Sequence, residues 1–181
     1  MSVFFGRKLI YILGLLALLL LLSAFQTVFW YQTIGRLSPP LLWLCIINYV
    51  ILARREPQSL LLVYVLAIAA SSMSSIGVGV FLIVLFSYYW LVVIVKNHFY
   101  IDSLGYFVLI NFSGSAAFHI IFYVVSQLME NLGTPLLFFD RLTQVMLTPL
   151  FSVPVYWMLK KWERITRAPE IYMDTSRYEY E

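Results

Sequence analysis

Within the long apolar runs of this chain, His119 is the one side chain that titrates near neutral pH. It belongs to a repeat: Asn111, Ser115 and His119 are spaced four apart, with Gly114 between them and Ser126 close to the same face, and Gln144, Thr148 and Ser152 repeat the spacing further on. Four-residue spacing puts such side chains on one face of a helix, so the sequence predicts two helices that each carry a polar seam. A lone histidine without a carboxylate partner is poorly equipped for acid–base or proton-relay chemistry. No phosphate-binding glycine loop, HExxH or GxSxG pattern is present, and Cys45 is the only cysteine, which excludes a cysteine metal cluster and an intramolecular disulfide. The expectation is a protein that is not an enzyme and uses no cofactor. For the seam Asn111, Gly114, Ser115, His119, Gln144, Thr148 and Ser152, three readings stand: hydrogen-bonded helix packing, a polar cavity for a small ligand, or a surface for a partner's helix. His119 is expected to be structural, sharing its seam with Asn111 and Ser115. Glu130, Asp140 and Arg141 form a candidate rim on the opposite side of the membrane from the basic clusters, either solvated or touching a partner.

The elements that must position these residues are apolar and long. From Pro57 to Val95 there are 39 consecutive residues without Asp, Glu, Lys, Arg or His, interrupted by Ser71-Ser72-Met73-Ser74-Ser75-Ile76-Gly77. A spanning helix needs about 20 apolar residues, so this run predicts a hairpin of two membrane helices around which the others arrange themselves. Hydrophobic residues make up 62% of the 181 and charged ones 12%, about half the charged share of a soluble domain. The fold class expected is all-α, a polytopic integral membrane protein with about six transmembrane helices in one bundle. The spacing gives helices over about 9–25, 39–53, 58–71, 78–95, 104–128 and 142–159, within a membrane domain 1–164 followed by a polar tail 165–181. The first is read as an uncleaved helix, because its apolar run exceeds that of a secretory signal. Phe29-Trp30-Tyr31 is read as an aromatic belt in the following connection, and Leu136-Leu137-Phe138-Phe139 as lying flat at the interface.

Orientation follows from Lys and Arg. One side of six alternating helices collects Arg7, Lys8, Arg54, Arg55, Lys96, Lys160, Lys161, Arg164, Arg167 and Arg177; the other holds Arg36 and Arg141. Ten against two places both termini in the cytoplasm. These basic residues sit at the ends of apolar runs, so the net charge of +3 reflects topology and anionic lipid, not nucleic acid.

Two stretches carry a family resemblance. The Pro-opened second helix, Pro39-Pro40-Leu41-Leu42-Trp43-Leu44 running to Asn48-Tyr49-Val50-Ile51-Leu52-Ala53-Arg54-Arg55, and the closing Leu147-Thr148-Pro149-Leu150-Phe151-Ser152-Val153-Pro154-Val155-Tyr156, resemble MreD, the rod shape-determining membrane protein family. The likeness covers about 39–164. Members usually carry an acidic residue after a glycine near the end of the third helix; here Ala69-Ala70-Ser71-Ser72 stands in its place and only the turn Ser74-Ser75-Ile76-Gly77-Val78-Gly79 is kept. The resemblance implies a non-enzymatic scaffold subunit of the peptidoglycan elongation machinery in the bacterial inner membrane. It would bind an MreC-like bitopic partner and act indirectly with an MreB-type cytoskeleton and peptidoglycan synthases. A competing reading is the substrate-binding membrane subunit of a vitamin-uptake transporter, which would converge Asn, Gln, Trp, Arg or Glu groups on an outer-leaflet cavity.

Overall fold

The computed structural model describes residues 2–35, 37–72, 77–99, 103–129 and 137–166, with side chains from Leu9 onward. The chain is an all-α, multi-pass membrane protein. Helix α1 covers Ser2–Ala24, passes through a π-helical turn at Phe25–Phe29 and closes with Trp30–Thr33. It is followed by α2 (Leu42–Ala53), α3 (Glu56–Ser71), α4 (Val78–Phe99), α5 (Leu104–Met129) and α6 (Phe138–Thr166). Helices α1, α4, α5 and α6 are long and apolar enough to cross a membrane. With 12 and 16 residues, α2 and α3 are shorter, about 18 and 24 Å at the helical rise.

Three boundaries differ from those expected. Helix α1 continues to Thr33 because the π turn absorbs an extra residue without breaking the hydrogen-bonded ladder. Trp30 is therefore buried in the helix, its indole N–H donating to Leu37 O at 2.8 Å, instead of lying in an interfacial connection. The helix stops at Gly35, whose φ of +52° is the left-handed conformation that glycine adopts at little cost. Helix α2 begins at Leu42, three residues after Pro39: Pro40 holds Pro39 out of the helical region, and Leu41, at φ -80° and ψ 69°, is the non-helical N-cap. Helix α6 begins at Phe138, so Phe138 and Phe139 form its exposed first turn, and it runs on through Lys160 and Lys161 to bring Glu163 into the bundle. Of the tail read as 165–181, Ile165 and Thr166 continue α6; residues 167–181, with Arg36, Glu130 and the Ser74-Ser75-Ile76 turn, lie outside the described residues.

The organising element is α2, not the hairpin α3–α4. Leu44, Cys45, Ile46, Ile47, Asn48, Val50 and Ile51 are all fully buried, and α2 packs against each of the other five helices. A helix that is apolar on every face finds its place in the centre of a bundle, and here that leaves α1, α3, α4, α5 and α6 to form the wall. The six helices alternate in direction between two poles. Tyr11, Arg54, Glu56, Lys96 and Glu163 mark one; Gln26, Leu41, Ala70, Phe81, Phe122 and Arg141 mark the other.

Candidate functional site

Three polar stations lie along α2. At its C-terminal end, Arg54 makes an ion pair with Glu163 of α6 at 2.9 Å, the two side chains being 6% and 12% exposed. Tyr49 of α2 donates to the other carboxylate oxygen at 2.5 Å, and the Arg54 guanidinium lies 4.6 Å from the ring centre of Tyr11 on α1. Lys96 of α4 donates to the carbonyls of Ile51 and Arg54, both at 2.7 Å. A buried ammonium on the last carbonyls of a helix satisfies groups that have no intrahelical partner and complements the helix dipole. Arg54 and Lys96, expected as topology signals, are thus buried structural charges that tie four helices together. Replacing Lys96 with Met is expected to cost about 1.5–3 kcal/mol by losing two charge-assisted hydrogen bonds, read as a lowered unfolding midpoint in detergent; an unchanged midpoint contradicts the cap.

Midway along α2, Asn48 joins three helices. Its amide donates to Asn111 Oδ1 at 3.0 Å and its carbonyl accepts from Tyr88 OH at 2.7 Å, while Asn111 donates to Phe107 O at 2.8 Å. All three side chains are fully buried. Gly114, one turn beyond Asn111 on α5, faces the Tyr88 hydroxyl so closely that a Cβ there would overlap it, with Asn48 Nδ2 at 3.4 Å from the same point. Gly114 therefore belongs to an internal contact among α2, α4 and α5.

The third station is a cavity of about 190 Å³ at the N-terminal end of α2. Leu41 and Trp43 line it from α2 and the residue before it, Ser23 from the last α-helical turn of α1, Gln26 and Thr27 from its π turn, His119 and Phe122 from α5, and Arg141 from the first turn of α6. Both ring nitrogens of His119 and the side-chain oxygen of Gln26 are buried without a hydrogen-bond partner among the described residues. The Arg141 guanidinium lies 5.7 Å from the Phe122 ring centre and donates to Gln144 Oε1 at 3.4 Å.

The predicted seam is therefore divided. Asn111 and Gly114 join the midpoint network. His119 lines the cavity, and Gln144 touches its rim through Arg141. Thr148 accepts from Leu41 N at 3.0 Å, holding the start of α2, while Ser115 and Ser152 donate to carbonyls of their own helices, Phe112 O and Pro149 O. His119 shares no hydrogen bond with its seam neighbours Asn111 and Ser115, which direct theirs to Asn48 and to the backbone. Of the candidate rim, Asp140 is exposed, Arg141 turns inward, and Glu130 lies outside the described residues.

Outside the bundle, a groove of about 680 Å³ runs between α3 and α4. Leu61, Tyr64, Ile83 and Phe86 form exposed walls around the small side chains of Ala67 and Ser87.

Comparison of the chain with family models, curated proteins and solved structures found no match.

Proposed function

We propose that this protein is a non-enzymatic scaffold in the bacterial inner membrane that holds a single-span, MreC-like partner through the groove between α3 and α4. The groove carries this reading. It is apolar and open to the side, and small residues between larger ones allow a second helix to approach closely. The midpoint and basic-pole side chains point the same way, since their hydrogen bonds and ion pair close on one another and leave the outward faces apolar. The MreD resemblance supplies the partner class and the setting, in which the MreB-type cytoskeleton and the peptidoglycan synthases act indirectly. Gly114 and its neighbours, a candidate for the partner seam, give way to the α3–α4 hairpin because Gly114 packs inward.

Replacing Leu61 and Phe86 together with Ala is expected to reduce co-purification of the partner at least tenfold while the protein's own membrane level stays unchanged. Undiminished co-purification contradicts the groove as the partner site. In this reading the six helices cross the membrane with both termini in the cytoplasm, as the ten-to-two basic asymmetry requires. A reporter active only outside the cytoplasm is then expected to work when fused at Ser75 or Leu132 and to be silent at Asn97 or Arg167; activity at Asn97 contradicts this topology.

The cavity at the start of α2 favours the second reading, a substrate-binding transporter subunit, because Gln26, Trp43 and Arg141 converge there. Its size speaks against a vitamin, since drug-sized ligands occupy about 300–1,000 Å³.

A further inference from the structure

The cavity's chemistry points to a smaller occupant than a vitamin. Arg141 brings a permanent charge into it, and among the described residues no carboxylate lies within 4 Å of its guanidinium or lines the cavity. A guanidinium presents five donors in a planar fork, and the described donation to Gln144 at 3.4 Å engages one of them weakly. His119 is only 9% exposed, lines the cavity and has neither ring nitrogen partnered among the described residues; in either protonation state it retains at least one N–H to donate. The Gln26 side-chain oxygen is also unpartnered, but it is an acceptor and calls for an O–H or N–H donor, not for the anion itself. Buried polar groups left unpaired are costly, and a donor-rich, positively charged recess is relieved by an anion with several acceptor oxygens. The space is well above the ~10–15 Å³ that one water requires. Phe122 and Trp43 supply apolar wall beside the charge, the surroundings that a headgroup and its first carbons would meet at a membrane surface.

We propose that the cavity at the N-terminal end of α2 is a binding site for one phosphate group, held by the Arg141 fork with the His119 ring N–H as a flanking donor. The phosphate comes either from a phospholipid headgroup or from free inorganic phosphate. The test uses the full chain in nanodiscs of phosphatidylglycerol, in a phosphate-free maltoside detergent, and in that detergent with added inorganic phosphate. Phenylglyoxal labelling of Arg141 is followed by peptide mass spectrometry. Arg141 is expected to be labelled at least fivefold more slowly in phosphatidylglycerol than in detergent, with Arg164 as an internal reference. Protection by phosphatidylglycerol alone assigns the lipid headgroup, and equal protection by inorganic phosphate assigns the free anion. Native mass spectrometry is expected to show one retained phosphatidylglycerol, lost at least tenfold more readily in Arg141→Gln and retained in Lys160→Gln at the other pole. Equal labelling of Arg141 in all three conditions overturns the proposal even if Arg141→Gln fails to accumulate. A fourth preparation, native membranes containing other proteins, completes the test: protection of Arg141 there and in none of the other three also overturns the proposal and assigns the cavity to a partner's carboxylate. Both readouts are independent of the groove between α3 and α4.

Discussion

Gly114→Leu is expected to abolish accumulation of the folded protein. A single added carbon at this position already overlaps the Tyr88 hydroxyl, and Tyr88 is itself fully buried, donating to Asn48. The ring has no empty space to enter without giving up that hydrogen bond. Losing it would leave a buried Asn48 carbonyl unpaired at about 1–3 kcal/mol, and the remaining carbons of a leucine add overpacking of about 1–3 kcal/mol or more. Together these approach the whole stability of a small domain. Gly114→Ala is milder, because better helix propensity returns up to about 1 kcal/mol. Since the clash is with one hydroxyl, Tyr88→Phe should partly rescue Gly114→Ala, giving a coupling of about 0.5–3 kcal/mol in a double-mutant cycle. Membrane level and unfolding midpoint in detergent are the readouts. A leucine variant that accumulates normally with an unchanged midpoint contradicts the packing among α2, α4 and α5.

The second large effect is expected at the basic pole. Glu163→Gln removes the carboxylate charge 2.9 Å from the buried Arg54 guanidinium, a loss of about 3–5 kcal/mol for pairs of this kind. Gln keeps one acceptor oxygen, enough for Tyr49 or Arg54 but not both, so the deficit combines the lost charge with one lost hydrogen bond. Replacing both partners, Arg54→Met with Glu163→Met, should cost less than Glu163→Gln alone, because no unpaired charge remains buried. The comparison is made by unfolding in mixed micelles. Equal midpoints for wild type and Glu163→Gln contradict a structural ion pair.

Much of the bundle is legible in the sequence because lipid solvation imposes long apolar runs. The Ser/Gly interruption between α3 and α4 and the prolines before α2 mark their connections directly. The rank of the helices is less legible. A helix buried on all sides by protein and one facing lipid carry the same kinds of residue, so α2 does not look central, and the longer hairpin draws the eye instead. Asn48 and Tyr88 are single polar residues in apolar stretches, and their partner Asn111 lies 63 residues from Asn48. Periodicity cannot register such a pairing, although a lone Asn amid Leu, Ile and Val is itself a cue. Glu163 is hidden because it stands in a basic cluster that reads as a membrane stop, while Arg54 and Lys96 satisfy the positive-inside pattern as well as their buried roles. The cavity depends on the π turn, which rotates Gln26 and Thr27 relative to an ideal helix and has no sequence signature here.

The scaffold function is tested most directly by a photoreactive benzoyl-phenylalanine placed at Phe86 in the full chain and irradiated in native membranes. Phe86 stands in the exposed wall of the α3–α4 groove, while Leu150 of α6 is equally lipid-accessible but outside it. The expected result is one cross-linked product from position 86, containing the transmembrane segment of a single-span protein, that is missing when the photoreactive group is at position 150. Cross-links to lipid alone from position 86, or the same protein adducts from both positions, would contradict a partner helix in the groove.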